Sequence, residues 1–289
     1  MEFEIESPKN ITELCKTIKS YRSKSFRLGA GYTDLLMELK KHTPRNLTVI
    51  NLAQLKDISF SSIRSTTKNI QIGAMVTASK LVTDTSVEQP FPVLQQAAHN
   101  LASTQIRQVA TLGGNLCTAS PSGDLICAAM ALQASCEIMN DDKKIRTLSI
   151  QDFFIGVRKT ALKKNEFLFA INIPKNKKET ATLHSGFIKI GTRKSMECSV
   201  VSLAFHLQID KTGKIIDAGI AIGASAPTVK FAQSACQFLI GKKINSFSEK
   251  EKEEFANKVL SYASPISDIR ATAWYRKEVL FNISKGVLE

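Results

Sequence analysis

Residues 174 to 180 read Pro-Lys-Asn-Lys-Lys-Glu-Thr, and this polar run constrains the fold more than any other feature of the 289-residue chain. A proline-led polar stretch with nothing apolar to anchor it is the composition of a linker. The boundary is therefore placed there, with one domain over 1–176 and a second over 177–289. A chain of this length can form one large domain or two ordinary ones, burying roughly three quarters of its unfolded surface. Apolar residues make up 43% and charged residues 22%. That balance excludes a disordered tail, a coiled coil and a disulfide-stapled mini-protein.

Before the break the periodicity is mixed. Asn10-Ile-Thr-Glu13 has the form of a capping box, opening a helix with Ile11, Leu14, Cys15 and Ile18 on one face. Strand candidates are Phe26 to Leu28, Leu47 to Leu52 and Ile70 to Ile72. Helices are expected at Asp34 to Lys40, Thr77 to Leu81, Phe91 to Leu101 and Asp124 to Ala134, and a strand–turn–strand at 135–150. After the break come strands at Gly186 to Ile190, Val200 to Ile209 and Ile215 to Ile222, the last two flanking the turn Asp210-Lys-Thr-Gly213. Helices follow at Thr228 to Leu239, Ser248 to Tyr262 and Ser267 to Ser284. The C-terminal part thus reads as a three-stranded antiparallel sheet with helices segregated after it, an α+β layout.

The net charge of +13, from 39 basic and 26 acidic residues, raises the question of nucleic acid. The lysines fall in short scattered clusters without interleaved aromatics, so solvated surface is the reading adopted and no nucleic-acid partner is expected. Six cysteines (15, 117, 127, 136, 198 and 236) sit in mostly apolar surroundings with no C-x-x-C pair. Closely spaced thiolates are what iron–sulfur and structural zinc sites need, so no metal is assigned to this chain. The cysteines read as reduced, largely buried thiols. No apolar stretch approaches the roughly 18–20 residues that span a bilayer. Met1 to Lys9 lacks the apolar core of a signal peptide, which makes a cytoplasmic protein the expectation.

Two glycine segments carry chemistry. Gly29-Ala-Gly31-Tyr-Thr-Asp34 lies between a strand and a helix candidate, where backbone N–H groups can cradle a phosphate. It is neither the dinucleotide fingerprint nor a Walker motif, and taken alone it reads first as a plain strand-to-helix turn. The second, Ala110-Thr-Leu-Gly-Gly-Asn-Leu116, adds Thr111 and Asn115 as short polar side chains beside adjacent glycines. Two such segments in one chain suggest two loops gripping a single diphosphate.

Gln105-Ile-Arg-Gln-Val-Ala-Thr-Leu-Gly-Gly-Asn-Leu116, followed by Ala119-Ser-Pro-Ser-Gly-Asp124, resembles the signature of the FAD-binding subunits of molybdenum hydroxylases, the xanthine dehydrogenase and carbon monoxide dehydrogenase medium-subunit family. The resemblance continues in Leu28-Gly-Ala-Gly-Tyr-Thr-Asp-Leu-Leu36, Asp152-Phe-Phe-Ile-Gly-Val-Arg-Lys-Thr160, Phe187-Ile-Lys-Ile-Gly-Thr-Arg193 and Ser267-Asp-Ile-Arg-Ala-Thr-Ala-Trp-Tyr-Arg276. It covers essentially the whole chain, in order.

The resemblance implies a p-cresol methylhydroxylase-type FAD-binding domain of two α/β subdomains, followed by a C-terminal domain of the carbon monoxide dehydrogenase flavoprotein type. By position, Leu28, Gly29, Ala30, Gly31, Tyr32, Thr33, Asp34 and Leu35 would form the first pyrophosphate loop. Thr111, Leu112, Gly113, Gly114 and Asn115 would form the second. Asp124 would accept a hydrogen bond from FAD, Leu168 and Lys189 would lie near the flavin ring, and Leu101 stands where some relatives carry an aromatic. The implied activity is an oxidoreductase subunit's, passing electrons from a [2Fe–2S] partner subunit through FAD to NAD+ or oxygen. A molybdopterin-binding large subunit would hydroxylate the substrate. Two other readings are a stand-alone flavin reductase resembling UDP-N-acetylenolpyruvoylglucosamine reductase and a cofactor-free basic binding module. Among single residues, Asp124 has a rival role as an N-cap. Lys189 has one as an ordinary strand lysine. Arg107 reads as a loop brace or a ligand contact, Trp274 as core, and Asp268 and Arg270 as capping or bridging residues.

Overall fold

A computed structural model describes residues 2–175, 182–193 and 196–289, so the boundary placed at 176/177 lies outside the described residues. The chain opens with β1 (Glu4–Glu6), β2 (Phe26–Gly29) and β3 (Thr48–Asn51), which form a small sheet with β3 central and both pairings parallel. Parallel neighbours need crossovers, and the helices Ile11–Ser20 and Leu35–Lys41 supply them. The first is anchored by Asn10, whose side chain accepts from the Glu13 amide, and it buries Leu14, Cys15 and Ile18, the stripe its sequence spacing implies.

A second sheet takes β4 (Ile63–Ser65), β5 (Asn69–Gly73), β6 (Ser135–Asn140) and β7 (Ile145–Ser149). After a short hairpin of β8 (Phe154–Gly156) and β9 (Lys159–Thr160), it is completed by β10 (Glu166–Pro174). The order is β4-β5-β10-β6-β7, antiparallel throughout. β10 is the central strand, and Phe167, Leu168, Phe169, Ala170 and Ile171 along it are all buried. A strand covered on both faces shows no period-2 alternation.

The third sheet holds β11 (Thr182–Ile190), β12 (Val201–Ile209), β13 (Ile215–Gly223) and β14 (Lys230–Phe231), antiparallel in that order. Three long strands are those expected; the fourth is a two-residue addition. It cuts short the helix expected from Thr228, because Phe231 and Lys230 pair with Ala221 and Ile222 and the helix starts only at Gln233. The last helix also starts late, at Ala273 rather than 267. Asp268 accepts from the amides of Arg270 and Ala271, bonds that hold a turn, and Thr272 then caps the helix through the Tyr275 amide.

Trp274 is 70% exposed, against the expectation of a core residue. The buried stripe of that helix is Arg276, Leu280 and Ser284, and position 274 falls well off it. Cys117 and Cys198 are likewise exposed, whereas Cys15, Cys127, Cys136 and Cys236 are buried as expected. The helix Asp124–Ala131 is buried at every position and packs on both β12 and β13. It is the element through which the two halves share one continuous hydrophobic core. No described helix is long and apolar enough to cross a membrane.

Candidate functional site: a cavity between two glycine loops

A cavity of about 750 Å³ opens between the first two sheets, within the range that holds a drug- or cofactor-sized molecule. Its wall takes Leu28 and Ala30 through Leu35 from the first glycine loop, and Thr111, Gly113, Gly114 and Asn115 from the second. Leu101, Asp124 and Leu168 also face it. Of the residues singled out by sequence, Gly29, Leu112 and Lys189 are not on the wall.

The two loops touch through backbone. A Cβ on Gly31 would come 1.8 Å from the Val109 carbonyl oxygen, so the first loop reaches the second only because Gly31 has no side chain. Next to it Tyr32 adopts a left-handed backbone (φ 60°) with its ring laid over Gly29, and burial pushes its phenol above the ordinary range. The turn leaves the N–H groups of Ala30 through Leu35 without a protein acceptor among the described residues.

The second loop differs. It folds into the start of the helix Leu112–Thr118, with Thr111 as N-cap, so the glycines read as a loop lie on a helix. The Leu112 amide donates to Val76 O (2.9 Å), Gly113 to Ala74 O (2.8 Å), Gly114 to Thr111 Oγ1 (2.9 Å) and Asn115 to Thr111 O (3.0 Å). Gly113 is required for that approach, since its Cβ would meet Ala74 Cβ and O at 2.7 Å. No backbone donor of 112–115 is left for a ligand, contrary to what two adjacent glycines suggest. What remains is the side chain of Asn115, whose buried Oδ1 has no hydrogen-bond partner among the described residues. A buried amide oxygen left unpaired costs about 1–3 kcal/mol, and a bound polar group can offset that.

Asp124 is the first residue of its helix and makes no capping bond, which removes its rival role. Its Oδ2 accepts from Lys189 Nζ at 2.6 Å and its Oδ1 from Ser199 Oγ at 2.7 Å. Burial pushes the carboxyl up, while the Lys189 ammonium and the Ser199 hydroxyl pull it down. Lys189 also donates to the Asn100 carbonyl at 3.1 Å, so its charge is turned toward Asp124 and the backbone. Arg107 braces the loop before the second glycine segment, donating to the carbonyls of Leu101 and Ala102.

Several wall residues carry no signal in the sequence. Arg158, left-handed at the β8–β9 turn, bonds Asp34 at 2.9 Å across the cavity mouth. Phe60, Met75 and Phe167 supply apolar wall, and Glu197 and Cys198 come from the far side of the polar run. Cys117 is exposed only in that it lines the cavity, and desolvation by the surrounding walls pushes its thiol up to about 12. The side chains present fit a dinucleotide: open amides on one loop, an orphaned amide oxygen on the other, a held carboxylate and apolar surface between them. Among the described residues no three His, Cys, Asp or Glu side chains converge as metal ligands.

Comparison with known proteins agrees with this geometry. Residues 1–176 match the family described as the FAD binding domain in molybdopterin dehydrogenase, and residues 187–288 match the CO dehydrogenase flavoprotein C-terminal domain. The xanthine dehydrogenase FAD-binding subunit of Escherichia coli O157:H7 is 30% identical over 265 residues, covering 91% of this chain and 87% of that one. The nicotinate dehydrogenase FAD-subunit of Eubacterium barkeri is 29% identical over 78% of this chain and 73% of its own length. In fold, a chain of the Hydrogenophaga pseudoflava carbon monoxide dehydrogenase structure superposes with a TM-score of 0.89, covering 99% of this chain and 96% of that one at 24% identity. By its matched sequence over both halves, this chain belongs to the FAD-binding subunits of the molybdenum hydroxylases.

Proposed function

We propose that the chain holds FAD in the cavity between its glycine loops and relays electrons to NAD+ from a partner subunit bearing [2Fe–2S] clusters. A molybdopterin-binding large subunit would perform the hydroxylation. The observation that carries this reading is the pairing of open backbone donors at 30–35 with the orphaned Asn115 oxygen across one cavity of cofactor size. The relatives are named dehydrogenases rather than oxidases, which favours an acceptor other than oxygen, and NAD+ is the acceptor adopted here. The spacing of the cysteines supports placing the clusters in other chains.

FAD, when bound, supplies the redox chemistry, taking electrons singly and releasing them in pairs. The chain supplies placement. Amides of Ala30 through Leu35 donate to the diphosphate, and the Asn115 side chain faces it from the other loop, whose turn Thr111 caps. Asp124 accepts from the cofactor, held by a counter-charge at Lys189. Leu101 and Leu168 exclude water from the ring. In this reading 1–176 is the FAD-binding domain, and 177–289 is an α+β domain that closes the cavity through Glu197 and Cys198 and holds Asp124 through Lys189.

The test is direct. The purified chain, reconstituted with FAD and desalted, is expected to retain one FAD per chain. It is expected to oxidise NADH with an artificial acceptor and to contain neither iron nor molybdenum. A chain that retains no flavin overturns the cavity assignment. One that retains flavin but is not reduced by NADH overturns the acceptor.

A further inference from the structure

The carboxylate of Asp124 is gripped from two directions by residues beyond the polar run, Lys189 at 2.6 Å and Ser199 at 2.7 Å. The side chains of Lys189 and Asp124 are 9% and 7% exposed, and Ser199 is 2% exposed. Ser199 does not line the cavity; Asp124 does. The segment that carries Ser199 is itself fixed. The next residue, Val200, donates its amide to Ile190 O at 2.8 Å, and its carbonyl accepts from the buried guanidinium of Arg276 at 2.7 Å. Lys189, by contrast, divides its ammonium between Asp124 and the Asn100 carbonyl. A second bond from a short side chain on a fixed backbone is what orients a carboxylate.

We propose that Ser199 is a positioning residue for FAD: its hydroxyl aims the Asp124 carboxylate into the cavity, so a residue that is not on the cavity wall governs cofactor retention. This rests on the cavity being the FAD site. The ionisable groups facing Asp124 are Lys189 on β11, Glu197 on the segment before β12 and the thiol of Cys127 one turn along its own helix. Of these only Lys189 favours the ionised carboxylate, and Ser199 reinforces it by donating a hydrogen bond to that form. Without the hydroxyl the carboxylate takes up a proton at higher pH. A protonated Asp124 is a poorer acceptor, so retention should weaken first on the acid side.

The experiment titrates the full-length chain with FAD by quenching of flavin fluorescence at pH 8 and pH 6, with thermal unfolding measured in parallel. Wild type sets the reference affinity at each pH. Ser199→Ala is expected to bind about threefold more weakly at pH 8 and about tenfold or more at pH 6, a growing deficit that a lost charge-assisted hydrogen bond produces. Ser199→Thr, which keeps the hydroxyl, is expected to restore the pH 6 affinity. Wild-type affinity in Ser199→Ala at both pH values overturns the proposal. So does an equal loss at both pH values that Thr does not rescue, which is the mark of a purely structural role. A wild-type chain that binds no FAD overturns the cavity assignment instead, and the positioning role with it.

Discussion

In the first glycine loop the amides of Ala30 through Leu35 find no protein acceptor among the described residues, whereas in the second those of Leu112 through Asn115 each have one. Both segments look like phosphate loops in sequence, yet glycine serves a different end in each. Gly31 lets the first loop lie against the Val109 carbonyl, and the loop's amides stay without protein acceptors. Gly113 lets the second dock onto Ala74, using up its donors and leaving the Asn115 side chain as its polar contribution. A glycine-rich segment therefore announces close backbone approach, and whether the approach is to ligand or to protein depends on what stands opposite.

That contrast can be broken experimentally. Gly31→Ala is expected to have the largest effect, because a methyl 1.8 Å from a backbone oxygen cannot be accommodated by a rotamer change and must push the loops apart. A stability loss of about 2–3 kcal/mol is expected from such overpacking, together with loss of bound FAD; calorimetry and flavin content after desalting check both. Unchanged flavin content would show that the loop junction is not part of the site.

Asn115→Ala sharpens the difference between the loops. FAD affinity is expected to fall by about 1–3 kcal/mol, roughly five- to 150-fold, while the melting temperature holds or rises, since the amide oxygen has no partner to lose. A falling melting temperature with FAD affinity intact would place Asn115 in the scaffold. Thr111→Ala should show the opposite pattern, costing about 1 kcal/mol of stability through the lost N-cap bond to Gly114. Denaturant titration reads that loss, and Thr111→Ser should recover most of it. The smallest effect is expected at Tyr32. Glycine there relieves a left-handed backbone worth roughly 1–2 kcal/mol but gives up partial burial of the ring. The net change is expected within about 1 kcal/mol by denaturant titration, and a larger loss would make the ring a structural part of the first loop.

Much of the helical frame was legible from spacing. The cap at Asn10 is present, and of the stripe read on the first helix Leu14, Cys15 and Ile18 are buried while Ile11 is half-buried. The strand–turn–strand at 135–150 and the long strands β12 and β13 fall where expected. β10 escaped because a strand buried on both faces has no alternation to detect. The helices Thr104–Val109 and Leu112–Thr118 escaped because Gly113 and Gly114 read as breakers, and only the docking of residues 112 and 113 onto 76 and 74 pays their helical cost.

At the site the two glycine segments stood out by composition, and the family resemblance marked Leu101, Asp124 and Leu168; of these three and the loop residues it assigned, all but Gly29 and Leu112 reach the cavity wall. Short-range chemistry fixes such features: a cap, a glycine that must meet backbone, a polar run that cannot enter a core. Whether a backbone amide is free or already bonded was settled only in three dimensions, as was the turning of Lys189 toward Asp124. The acceptors concerned, Val76, Ala74, Asp124 and Asn100, lie tens of residues away from their donors in sequence. A hydrogen bond is satisfied by distance and angle at its own location, and nothing local to Leu112 or Lys189 encodes which distant group the fold will bring there.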